Sequence, residues 1–178
     1  MGDSMKDNAS PADLHTEPSR LRRYFPLILW MMVIFFASTG EFSASKTNLL
    51  IQPLLRWLFP HISNERVTFV HFLLRKCGHF SGYAILGLLA ARAFINSSHA
   101  VLRRSWFVAA LLLVCLYALS DEYHQSFIPS RRASIYDSLL DMTGGLAALV
   151  LVALWHKRRR RVKSTGAASG SSLLAAED

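Results

Sequence analysis

Lys76, His79 and Tyr83 recur at i, i+3 and i+7, a spacing that puts all three on one face of a helix. Asp121, Glu122, His124 and Gln125 close a second apolar stretch. Asp137 and Asp141 open a third, one helical turn apart, and the turn SFIPSRRAS before them carries Arg131. Ammonium and guanidinium groups hold phosphate or carboxylate, arginine through a two-pronged fork. A histidine oriented by a carboxylate can move a proton, with His79 or His124 as base and Asp121 or Glu122 as orienting group. His79, His124, Asp137 and Asp141 are also types that can bind a divalent metal. A carboxylate within an apolar helix can relay protons. Against all of these stands a plain alternative, in which the charges pair and knit helix ends together. Ionisable groups inside a membrane span cost a few kcal/mol, so they face the bundle and pair. Asp141 is the deepest of them.

No HExxH, CxxC or Gly-rich phosphate loop occurs. No cofactor and no metal site is therefore assigned. Ser81 and Ser120 lack the setting of a serine nucleophile. Cys77 and Cys115 lie in apolar stretches without ligand spacing and read as packing residues.

The elements that must carry these residues are set by hydropathy. The chain has 178 residues, 52% of them hydrophobic, while its first and last twenty are polar. Apolar residues concentrated in the middle match lipid as the receiving phase. The pattern predicts an all-α, polytopic membrane helix bundle with about four transmembrane helices, spanning about 24–40, 77–95, 105–123 and 135–155. A signal peptide would share the basic start and apolar run of the first span. Its late basic cluster and bulky Trp30, Met31, Met32, Phe35 and Phe36 favour a retained helix. The block LLIQPLLRWLFPHI, interrupted by Pro53, Arg56 and Pro60, is expected to lie in the interface, and Glu65 to Lys76 to lead into the second span. Residues 1–19 and 157–178 are expected to be tails, the first disordered and the second basic and then disordered, flanking one membrane domain over 20–156. Gly144 and Gly145 are small enough to bring the fourth span against a neighbour.

Orientation follows from Lys and Arg beside the spans. Thirteen of the twenty fall before span one, at the junction of spans two and three (Arg92, Arg103 and Arg104), and after span four. Both termini are therefore expected in the cytoplasm, in an N-in/C-in arrangement. The net charge of +8 then reflects topology and anionic lipid, not nucleic acid. HKRRRRVK, directly after a span, is a stop-transfer and lipid-contact run. This topology gathers the start of span two, the end of span three and the start of span four on the outer side, where the polar residues are.

Three elements carry a likeness to a known family: Lys76, His79 and Tyr83; the run SDEYHQSFIPSR from Ser120 to Arg131; and Asp137 and Asp141 followed by Gly144 and Gly145. Together they resemble the VanZ-like family over about residues 24 to 156. Ser130 stands where family examples often carry Gly. The resemblance implies an integral membrane protein of the bacterial cytoplasmic (inner) membrane and cell envelope. The family's namesake is associated with teicoplanin (glycopeptide) resistance.

Three functions compete for the polar group. One is binding of a lipid headgroup or cell-wall precursor, with Lys76 and Arg131 on the anion and His79, Glu122 and His124 on the polar group. A second is an intramembrane enzyme acting on a lipid-linked or phosphorylated substrate. A third is a small transporter with Asp137 and Asp141 as relay groups. The expected partners are membrane lipid and a lipid-linked or cell-wall precursor headgroup, with no nucleic acid.

Overall fold

In lipid a chain must satisfy its own backbone hydrogen bonds, and helices do this within one segment. A computed structural model describes the backbone of residues 20–39, 44–128 and 134–174, with side chains at 21–39, 51–128 and 134–161. Among these residues six helices follow one another: α1 (Arg20–Ser38), α2 (Ala44–Leu58), α3 (Asn64–Ile95), α4 (Ala100–Arg104), α5 (Trp106–Ser126) and α6 (Ile135–Leu174). Four of them, α1, α3, α5 and α6, are long and apolar enough to cross a membrane. At about 1.5 Å per residue, the 15 residues of α2 reach only about 22 Å, short of the roughly 30 Å of hydrocarbon. Its chain runs as helix through Pro53. Residues 1–19, 40–43, 129–133, which include Arg131, and 175–178 lie outside the described residues.

Two helices are longer than their apolar cores. The stretch from Glu65 to Lys76 is not a separate lead-in but the first part of the 32-residue α3. Ser63 starts it as an N-cap whose side chain accepts from Arg66 N. No proline interrupts the helix from there to Ile95. Likewise α6 runs past Trp155, through the basic segment, to Leu174. Lys and Arg are good helix formers, so charge alone does not end it.

α3 is the hub, packed against α1, α2, α5 and α6. Trp30 Nε1 donates to Gly82 O at 2.9 Å, and the Tyr24 and Ser97 hydroxyls meet at 2.9 Å, which sets α1 antiparallel to α3. The Tyr117 hydroxyl donates to Met31 O at 2.5 Å and ties α5 to α1. The centre is filled by small and medium side chains, including Leu86, Ala90, Ala110, Val114, Ala118 and Leu149, all fully buried. Large apolar side chains such as Phe25, Phe36, Leu112, Leu116 and Leu151 point outward. Small residues inside and bulky ones outside is the arrangement of helices solvated by lipid.

Candidate functional site

Close helix approach brings the polar residues together. Gly144 lies so near α3 that a Cβ there would overlap the Phe80 carbonyl oxygen. A Cβ on Gly87 would come within 2.8 Å of Gly145 O, and one on Gly145 would strike Val114 of α5. All three glycines are buried. With no side chain between them, α3 and α6 run side by side in parallel.

That register pairs their charges. Lys76 Nζ donates to the Asp137 carboxylate, and Arg75 approaches the same carboxylate at 3.6 Å. One turn further, His79 Nδ1 lies 3.2 and 3.3 Å from the two oxygens of Asp141. Asp141 is only 2% exposed. A carboxylate on Nδ1 directs the proton there and leaves Nε2 as the acceptor of a neutral ring. Ser138, fully buried between the two acids, donates to Ala118 O at 3.4 Å and fixes α6 against the end of α5.

α5 brings its own acids to the same end of the bundle. Gln125 Nε2 donates to Asp121 Oδ2 at 3.0 Å, and both residues are buried. The Ser134 backbone N–H donates to the Glu122 carboxylate, so Glu122 holds the chain entering α6. His124 packs its ring against Phe35 of α1, with centroids 4.9 Å apart. Among the described residues neither Asp121 nor Glu122 hydrogen-bonds His124, so the carboxylate-oriented base of this set is His79, with Asp141. Tyr83 is buried beside Tyr117, Asp121 and Asp141.

Lys76, His79, Tyr83, Asp121, Glu122, Gln125, Asp137 and Asp141 thus meet at one end of the bundle. His124 faces α1 at its edge, and Arg131 lies outside the described residues. No group of three or more His, Cys, Asp or Glu among the described residues could hold a metal ion.

Beside the paired charges α1, α2, α3 and α5 enclose a cavity of about 380 Å³. His79, Tyr83 and Asp121 line it, together with His71 and Arg75, which sequence reasoning left out. Their signal was present: 71, 75 and 79 share the helical face of 79 and 83. It was masked by starting the second span at Cys77, whereas α3 carries that face further toward its N-terminus.

A family model described as VanZ/LLP1 matches residues 24–156, which hold most of each of the four span-length helices and every paired group described above. No curated protein and no solved structure matches the chain. The match covers most of the chain, and it contains the paired helix ends of α3, α5 and α6. This multi-pass helical membrane protein belongs to the VanZ/LLP1 family.

Proposed function

We propose that the paired bundle end is a headgroup site on the extracytoplasmic face of the cytoplasmic membrane. There it engages an anionic lipid headgroup or a cell-wall precursor and contributes to glycopeptide (teicoplanin) resistance. The observation that carries this is the cavity bordered by Arg75, His79, Tyr83 and Asp121 directly beside the Lys76–Asp137 and His79–Asp141 pairs. Charges serving only to join helices have no need to border a space of that size. The excess of Lys and Arg at the termini and the 96–104 loop supports cytoplasmic ends and hence an outward-facing site.

A deletion strain complemented with wild type, Lys76→Gln, Arg131→Ala or Asp141→Asn tests this through teicoplanin and vancomycin susceptibility, with membrane abundance measured in parallel. The expected result is wild-type abundance with lost teicoplanin protection in Lys76→Gln and Arg131→Ala. Full protection by both variants would set the headgroup site aside.

A second function is supported by the His79–Asp141 contact alone, which is the geometry of an oriented general base. An intramembrane enzyme would release product from a lipid-linked or phosphorylated substrate, and His79→Gln would abolish turnover while leaving binding intact.

A further inference from the structure

The cavity beside the ion pairs has two unlike walls. α1 contributes Trp30, Val33, Ile34, Ala37 and Ser38, which are apolar apart from the Ser38 hydroxyl at its end and the indole N–H, and that N–H is already bonded to Gly82 O. α3 and α5 contribute His71, Arg75, His79, Tyr83 and Asp121. A volume of about 380 Å³ lies in the range of small-molecule sites, which are typically apolar with a few placed polar groups.

The polar wall carries side-chain atoms that the described residues do not satisfy. His71 Nε2 and one Arg75 guanidinium nitrogen are buried without a hydrogen-bond partner, while the Tyr83 hydroxyl faces the Asp121 carboxylate without a hydrogen bond of regular geometry. The Arg75 group has only its longer ionic contact to Asp137, at 3.6 Å. Tyr83 is 1% exposed. Buried polar atoms are nearly always paired, so the His71 and Arg75 nitrogens on one wall point to a polar guest. Each of them can donate, and Arg75 can only donate. Such donors select a phosphate or carboxylate.

Further along the same wall the polarity reverses. His79, with Nδ1 on Asp141, offers a lone pair at Nε2. The buried Asp121 carboxylate is answered by the Gln125 amide and faced by the Tyr83 hydroxyl, with no cation among its hydrogen-bond and ion-pair partners in the described residues. Its charge disfavours a bare anion and favours an ammonium group. Residues 71, 75 and 79 succeed one another at four-residue steps, so each lies about 6 Å beyond the last along the axis. Donor and acceptor ends are therefore separated by roughly the reach of a small zwitterion.

Gly78 and Gly82 complete the shape. Both line the cavity, and a Cβ on either would meet nothing within 4 Å. Unlike Gly87, Gly144 and Gly145, they do not bring helices together. They recess the wall of α3 opposite the aliphatic face of α1, leaving a groove suited to a hydrocarbon chain.

We propose that this cavity binds an amphiphile with a zwitterionic head. Its anion sits at His71 and Arg75, its ammonium at Asp121 and His79, and its chain between Gly78, Gly82 and α1. This rests on the headgroup site proposed above and specifies the ligand class.

The test uses the purified full-length protein in maltoside micelles, read by tryptophan fluorescence and thermal shift. The probes are lysophosphatidylethanolamine, lysophosphatidic acid, an alkylamine of matched length, and phosphoethanolamine without a chain. Nε-lauroyl-lysine presents an amino-acid zwitterion and separates a carboxylate source from a phosphate one. At least one chain-bearing zwitterion is expected to bind about tenfold tighter than either singly charged probe, the scale of one charge-assisted contact. Chainless phosphoethanolamine is expected not to bind at the same concentrations. Gly82→Leu should abolish binding with an unchanged elution profile. Arg75→Gln should bring the zwitterion down to the alkylamine, and Asp121→Asn should bring it level with lysophosphatidic acid. Equal binding of zwitterion and lysophosphatidic acid, or binding indifferent to Gly82→Leu, overturns the zwitterion cavity. If lysophosphatidic acid still binds and loses affinity with Lys76→Gln, the broader headgroup site survives that failure. Silence from every probe overturns both.

Discussion

His79 Nδ1 stands 3.2 Å from Asp141 Oδ1, joining α3 to α6 across the most buried polar contact between these helices. The two residues are 62 positions apart in sequence. Their contact depends on Gly144 and Gly145, less than two turns along α6, which let the helices approach.

A double-mutant cycle on His79→Ala and Asp141→Ala should give a coupling energy of about 1 kcal/mol, the scale of hydrogen-bonded pairs between membrane helices. Reversible unfolding in mixed micelles measures it. His79→Ala alone should cost more than Asp141→Ala alone, because it leaves a buried carboxylate without its cross-helix partner. Purely additive effects would show that the pair contributes no stability.

The Lys76–Asp137 pair should respond asymmetrically. Lys76→Ala leaves Asp137 with Arg75, already 3.6 Å away. Asp137→Ala instead leaves two neighbouring cations, Arg75 and Lys76, without their shared carboxylate. Folded yield by fluorescence-detected size exclusion should fall more for Asp137→Ala, by about 1–3 kcal/mol in stability. Equal losses would rule out the sharing.

The glycines should divide into two classes. Gly144→Ala drives a methyl into the Phe80 backbone, which has no flexible end to yield, and should cost about 1–3 kcal/mol. Gly78→Ala and Gly82→Ala add a methyl to open space. They should be neutral or stabilising by up to about 1 kcal/mol, since alanine loses less backbone entropy in a helix. Thermal unfolding of the three variants decides between packing glycines and cavity glycines.

Membrane orientation is testable by reporter fusions. A green fluorescent protein joined after Asp178 should fluoresce, and alkaline phosphatase at the same position should be inactive. Alkaline phosphatase fused after Ser63 should be active, because the start of α3 lies at the opposite side from both termini. The reverse pattern would move the paired site to the cytoplasm and remove the headgroup proposal's access to external precursors.

Much of the helical frame was legible because hydropathy and membrane thickness are one-dimensional constraints. The runs around Trp30, Leu112 and Leu149 are long and apolar, and lipid leaves them only helical solutions. Reading the α3 boundary failed for a related reason. Glu65 to Lys76 has a polar face that set it apart as a lead-in, yet Ser63 caps it and no proline breaks it, so one helix continues beyond the apolar core. That extension carries His71 and Arg75 into the cavity, and hydropathy alone gave them no distinction.

The chemical types at the bundle end were already determined by the sequence: Lys76 and His79 on one helical face, and Asp137 and Asp141 on another. A helix's periodicity assigns faces without reference to any other helix. Partner choice was decided only by tertiary structure. Asp137 takes Lys76 and Arg75, and Asp141 takes His79. Those choices depend on the offset between packed helices, which Gly87, Gly144 and Gly145 set by close backbone contact. The cavity is likewise a property of four helices together, since no single segment encodes the space between its neighbours.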